Sequence, residues 1–194
     1  MAAGASQRME GIKQLLPWKN SNFLLETSKT VRNSTADSIF VVLGSSAEEI
    51  NTKCNLVEKG LRVVMNPSWA NGLGNSIAVG VKEVLQKQKE VTGILICLAD
   101  QPLLSTDYLN AIIQQFEKNP TKIVATDYGK KVGVPALFPK LLFDELVRLE
   151  GDQGAKDLLN NSTFDIIRLE GKNQIKDIDT KEEYDLLLKQ FTNQ

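Results

Sequence analysis

Five stretches of this 194-residue chain carry groups suited to phosphate oxygens or a hard cation. The N-terminus reads Ala2-Ala3-Gly4-Ala5-Ser6-Gln7-Arg8-Met9, with Lys13 five residues beyond the arginine. Small residues let backbone amides approach a ligand closely, and Ser6, Arg8 and Lys13 add donors that match phosphate oxygens. A flexible Ala/Gly-rich terminus is the plain alternative. Asp100 follows the most apolar run in the chain, 93–99, where a carboxylate is well placed to bind Mg²⁺. Its alternative is a turn-former ahead of Pro102. Asp177 and Asp179 are spaced to share one face of a strand, so either could add a second carboxylate to a metal. Helix capping by Asp179 or Thr180 explains the same residues. The glycine-bearing segments 71–76 and 151–156 could offer amides to an anion or a base, or serve as ordinary glycine turns.

Composition narrows the chemistry. There is no histidine, which excludes Ser-His-Asp and Cys-His catalysis, an imidazole base and His-based zinc sites. What remains is carboxylates, lysine, arginine, backbone amides and a metal held by oxygen. With 23 basic and 24 acidic side chains, the formal net charge is −1, which argues against a nucleic-acid surface. The longest apolar stretches fall short of the ~18 residues that span a bilayer, and the N-terminus lacks a basic segment followed by an apolar one. Cys54 and Cys97 form no clip or CxxC pair, so a reduced, cytoplasmic setting is expected.

The elements that must position these residues alternate in type. Short, β-branched or apolar runs predict strands over 38–43, 61–66, 93–99, 122–126, 134–138, 165–169 and 175–178. The run 93–99 is expected at the centre of the sheet, covered on both faces. Helical spacing covers 76–89, 105–117, 141–149 and 155–159, and Thr180 with Glu183 has the capping-box spacing that opens a last helix to about 191. Such alternation predicts an α/β sandwich with a mainly parallel sheet, one domain over 1–194, and ligands beyond the carboxyl ends of the strands. A phosphate loop of this kind follows a strand, yet only Met1 precedes it, so the first strand is expected to be truncated.

Taken in order, AAGASQRM…KQLLPW at 2–18, NGLGNSI at 71–77, CLADQP at 97–102, GVPALF at 133–138, GDQGAKDLL at 151–159 and DIDTKEEY at 177–184 resemble one family. The set is similar to the molybdenum cofactor cytidylyltransferase group of the MobA-like nucleotidyltransferases, over nearly the whole chain. The resemblance implies a Rossmann-like three-layer sandwich of the nucleotide-diphospho-sugar transferase type. It implies transfer of CMP from CTP, with Mg²⁺, to the terminal phosphate of molybdopterin and release of pyrophosphate. By the same resemblance Ala3, Gly4 and Ala5 border the base and ribose, Ser6, Arg8 and Lys13 hold the triphosphate, and Gly74 and Ser76 lie by the base. Arg8, Lys13 and Asp100 carry the catalysis, and Asp100 binds the metal with Asp177 or Asp179. Pro135, Ala136, Asp152, Gly154 and Lys156 face the pterin. The AAG loop resembles the cytidylyl branch rather than the AGG loop of guanylyl-transferring relatives.

Three departures stand out: Glu10 where the family has Gly, Asn20 where a Gly is common and where Asn is expected to take a left-handed conformation, and the truncated first strand. Two other functions remain open at this point. One changes the acceptor to another phosphorylated compound. The other is a cofactor-binding maturation factor that serves a molybdenum hydroxylase with little catalysis.

Overall fold

The structure is a computed structural model that describes residues 1–6, 8–9, 11–160 and 163–192; Glu10 therefore lies outside the described residues. The chain runs through a two-residue hairpin, β1 (Pro17–Trp18) and β2 (Ser21–Asn22), into α1 (Phe23–Arg32), then β3 (Phe40–Leu43), α2 (Ala47–Cys54) and β4 (Arg62–Met65). It continues with α3 (Gly72–Lys87), β5 (Gly93–Ile96), α4 (Thr106–Lys118), β6 (Ile123–Asp127) and β7 (Val132–Pro139). The last elements are α5 (Phe143–Val147), α6 (Lys156–Asn160), β8 (Ile166–Glu170) and α7 (Lys181–Thr192).

Local signals explain most of these boundaries. Asn22 caps α1 by accepting from the Leu25 amide at 2.9 Å, and Ser105 caps α4 by accepting from Tyr108 at 3.2 Å. The stripe Leu109, Ile112 and Phe116 turns inward along α4, as its spacing requires. Thr180 and Glu183 exchange both capping-box bonds at the start of α7, at 3.2 and 3.1 Å.

The strands form two ladders. β3 pairs parallel with β4, and the second sheet has the order β5-β7-β6-β8. β8 runs parallel to β6, whereas β7 is antiparallel to both β5 and β6. Met1 and Ala2 stitch the two ladders together. The Ala2 amide donates to Val42 at 2.9 Å, the Met1 amine donates to Cys97 at 2.6 Å, and the Ala99 amide donates to Met1 at 3.0 Å. Every main strand thus runs one way except β7, in a Rossmann-like α/β arrangement.

Four expectations change. β5 stops at Ile96 and stands at the end of its four-stranded sheet rather than at the centre, paired there with the reversed β7. The segment 175–178 is not a strand; it finds no ladder partner, and the Ile178 amide donates instead to the Asp100 carbonyl at 3.0 Å. α3 begins at Gly72, so the 71–76 glycines belong to its first turn rather than to a preceding loop. In the hairpin turn it is Lys19, not Asn20, that takes a positive φ of 51°. Among the described residues, no helix is long and apolar enough to cross a membrane.

Gly72 has φ +98°, and a Cβ there would strike the carbonyl of Gly151, whereas a Cβ on Gly4 would meet open space. Strain of about 1–3 kcal/mol at such a φ, at about 2–4 °C per kcal/mol, predicts that Gly72→Ala lowers the melting midpoint by several degrees. Gly4→Ala should leave it unchanged. Equal midpoints for the two variants by calorimetry would contradict this packing.

Candidate functional site

The N-terminal loop is held from both sides. Ala3 accepts from the Ser45 amide at 3.0 Å, and Gln14, itself buried, donates from Nε2 to the carbonyls of Ala2 and Gly4 at 2.9 and 3.1 Å. Ser6 sits at φ 55°, a conformation that a non-glycine residue adopts only when its surroundings enforce it. Here its Oγ accepts from the Lys13 amide at 3.2 Å, and its carbonyl accepts from the Met9 amide at 2.9 Å. Gln14 holds the loop in a way the sequence does not predict, since a lone amide side chain has no spacing signature.

Lys13 occupies the middle of the site. Its Nζ donates to Asp100 Oδ2 at 2.8 Å and to Asp179 Oδ1 at 2.7 Å. The exposed Arg8 reaches Asp179 Oδ2 at 3.1 Å. Burial alone would push the Lys13 ammonium down, but the charge and hydrogen bonds of Asp100 and Asp179 outweigh it and raise its pKa above the usual value. For Asp179 burial acts upward, and the bonds and charges of Lys13 and Arg8 outweigh it, holding the carboxyl below the ordinary range. Backbone bonds fix both carboxylates: Ile178 donates to the Asp100 carbonyl, and the Asp179 amide donates to Glu183 Oε2 at 2.8 Å.

Asp177 goes elsewhere. Its Oδ1 accepts from Gln101 Nε2 at 2.8 Å, and burial, with the charge of Asp100, pushes its carboxyl up. Gln101 is buried and also places Nε2 3.0 Å from the Tyr128 hydroxyl and 3.3 Å from the Val134 carbonyl. Gln101 stands within the CLADQP motif, but these contacts depend on the fold and have no spacing signature.

A cavity of about 600 Å³ opens over the loop, bordered by Ala3, Gly4, Lys13, Ser76, Asp100 and Asp152. Ala5, Ser6, Arg8 and Asp179 also line it. Gly74, expected beside the base, does not line the cavity: its amide is committed to the Gly151 carbonyl at 2.8 Å, and a Cβ on Gly74 would fall 2.5 Å from the Glu150 carbonyl oxygen. The two glycine segments are therefore one contact, α3 against 150–152. Ser76 is buried, its Oγ accepting from Asn66 at 2.9 Å. Of the expected pterin-facing residues only Asp152 borders the cavity. Ala136 is fully buried in β7, Pro135 accepts from Thr126 through its carbonyl at 2.7 Å, Gly154 packs on Leu73, and Lys156 is exposed at the start of α6.

The donor set suits a hard divalent cation. Asp100 Oδ1 is buried without a hydrogen-bond partner, beside Oδ2 and the carboxylate of Asp179, so the available donors are all hard oxygens. Among the described residues no group of three or more acidic or cysteine side chains converges. Two carboxylates completed by substrate phosphates and water is a usual way of holding Mg²⁺.

Known proteins resemble the chain over most of its length. The MobA-like NTP transferase domain matches residues 1–167. The purine catabolism protein PucB of Bacillus subtilis is 31% identical over 166 residues, 83% of this chain and 78% of that protein. Rv0371C of Mycobacterium tuberculosis H37Rv, solved as a complex with manganese, is 28% identical with a TM-score of 0.74, covering 93% of this chain and 95% of that one. A nucleotidyl transferase from Methanothermobacter thermautotroptrophicus shares the fold, with a TM-score of 0.83 at 22% identity over 99% and 95% of the two chains. The chain belongs to the MobA-like NTP transferase family and is a nucleotidyltransferase.

The pairing at Asp179 has a pH signature. A carboxyl depressed in the folded state contributes stability above its unfolded pKa of about 3.9, and that contribution is lost as pH falls through the lower folded value. Asp179→Asn is expected to melt below the wild type at neutral pH and to converge with it in acid. Melting curves that stay parallel from neutral pH to about pH 2.5 would contradict the pairing.

Proposed function

We propose that this NTP transferase moves the CMP group of CTP onto the terminal phosphate of molybdopterin and releases pyrophosphate. The observation that carries the reading is the cluster at Lys13: two cations and two carboxylates converge beside an amide-rich loop, on the rim of a cavity large enough for a nucleotide.

The acceptor phosphate is already ionised near neutral pH, so it needs no general base. One of its oxygens attacks the α-phosphorus of CTP in line, forming the new P–O bond as the bond from the α-phosphorus to the bridging oxygen breaks and pyrophosphate leaves. Lys13 and Arg8 offset the negative charge that gathers on the departing pyrophosphate. Lys13 is nearly enclosed and set in place, whereas the exposed Arg8 can follow the leaving group outward. Ser6 and the loop from Ala3 to Ala5 orient the triphosphate and ribose, with Gln14 keeping the loop carbonyls turned away from the phosphates. Asp100 and Asp179 would hold the divalent cation, which when bound supplies charge neutralisation to the phosphoryl oxygens. The manganese complex of the Mycobacterium relative supports such a cation, with Mg²⁺ the one proposed here.

The pterin would lie on the Asp152 side of the cavity. The preference for CTP rests on the AAG loop. A cytoplasmic setting, with Cys54 and Cys97 as free thiols, and delivery of the product to a molybdenum hydroxylase complete the reading.

A nucleotide that binds only the folded state at ~100 times its Kd adds roughly 2.7 kcal/mol. CTP with Mg²⁺ is therefore expected to raise the melting midpoint by about 5–10 °C, and GTP by clearly less. Asp100→Ala should fold and lose about a hundredfold or more in turnover. Near-normal turnover by that variant with saturating Mg²⁺ would overturn the assignment.

A further inference from the structure

One large apolar side chain on the wall of the site, Trp69, lies outside the buried clusters that hold the fold together. It opens the short helical turn Trp69–Asn71 between β4 and α3, is half-buried, and lines the cavity over the N-terminal loop with Ala70 and Leu73. Among the described residues its indole joins no core cluster, meets no other aromatic ring, and finds no acceptor for Nε1–H. Trp18 is the contrast. It is buried, packs edge-on against Phe23 and Phe191, and donates from Nε1 to the Pro102 carbonyl at 3.2 Å. An enclosed indole normally has such partners, and one that lacks them on a cavity wall is a surface for a ligand's ring.

The position of Trp69 decides which ring that is. Gly44, the residue after β3, is wedged between Trp69 and the loop: a Cβ there would fall 2.3 Å from Trp69 Cβ and 2.7 Å from the Ala3 carbonyl oxygen. The Ser45 amide, next along the chain, donates to that same carbonyl at 3.0 Å. Trp69 therefore stands beside the first residues of the loop. The charged groups gather at the other end of the loop, where Ser6 accepts from the Lys13 amide and both Lys13 and Arg8 reach Asp179. A triphosphate held by Arg8 and Lys13 directs its base along the loop, toward Ala3 and the indole.

We propose that Trp69 is a nucleobase-binding residue whose indole stacks on the base of the bound nucleotide. The proposal rests on the reading of this cavity as a nucleotide site and adds to it the source of base affinity. Every base has a π face, so stacking supplies affinity without choice. Choice among bases is left to the backbone groups of Ala3, Gly4 and Ala5, which meet the base at its edge.

The test is calorimetric binding of CTP and of inorganic tripolyphosphate, each with Mg²⁺, to the wild type, Trp69→Phe and Trp69→Ala. Trp69→Ala is expected to bind CTP about tenfold or more weakly, and Trp69→Phe, which keeps a ring, within about threefold of the wild type. Tripolyphosphate has no base and should bind all three alike. CTP should also quench the emission of the wild type, where Trp69 is one of two tryptophans, and leave Trp69→Phe, which reports only the buried Trp18, unchanged. Equal CTP affinity in all three proteins would overturn the proposal. A matching loss of tripolyphosphate by Trp69→Ala would overturn it too, because Trp69 would then act by shaping the loop. Unchanged CTP binding with weaker binding of 6-hydroxymethylpterin would overturn it in favour of the acceptor's ring. A wild type that binds tripolyphosphate but no nucleotide would sink the nucleotide reading itself, and the proposal with it.

Discussion

The Lys13 ammonium joins three parts of the chain at one point. Asp100 follows β5, Asp179 precedes α7, and Lys13 itself follows the N-terminal loop, so the two contacts bridge 87 and 166 residues of sequence. An ammonium this enclosed is costly unless it is paired, and a single carboxylate would leave much of its charge uncompensated. Two carboxylates and a neighbouring guanidinium give a cluster in which each charge faces its opposite. The loop from Ala3 to Ser6 is shaped by the same residue, because the Lys13 amide is what Ser6 Oγ accepts. Removing the Lys13 side chain would therefore leave Asp100 without its counter-charge and Asp179 with Arg8 alone, while the backbone bond to Ser6 would remain.

The rest of the scaffold serves to bring that point to the carboxyl ends of the strands. The Ile178–Asp100 backbone bond sets the two carboxylate segments side by side, and the capping box of α7 aims Asp179 at Lys13. Gln101 ties the segment after β5 to Asp177, Tyr128 and β7. On the far wall, Gly72 and Gly74 let α3 approach 150–152 closely enough to place Asp152 on the cavity rim.

Much of this was legible from local pattern. The inward stripe and cap of α4, the Thr180–Glu183 box and the β3 and β4 runs are written in neighbouring residues, and the sequence predicts them within a few positions. Arg8, Lys13, Asp100 and Asp179 were legible by type, because few side chains remain for phosphate chemistry once histidine is absent. What stayed hidden depends on pairing. The alternation at 175–178 reads as a strand, yet no neighbour forms a ladder with it. The reversal of β7 leaves no mark in its own residues. The helical start at Gly72 runs against glycine's low helix propensity, and contact with 150–151 decides it. Gln14 and Gln101 act through geometry that only the fold creates.

We propose that this cluster transfers a nucleoside monophosphate from CTP to a phosphorylated pterin. The most direct measurement is a single-turnover reaction of the purified chain with CTP, Mg²⁺ and molybdopterin, following pyrophosphate and the nucleotide-linked product together. The account predicts one pyrophosphate released for each acceptor cytidylylated, with little reaction from GTP. Release of pyrophosphate without labelled pterin, or no release with any nucleotide, would contradict it.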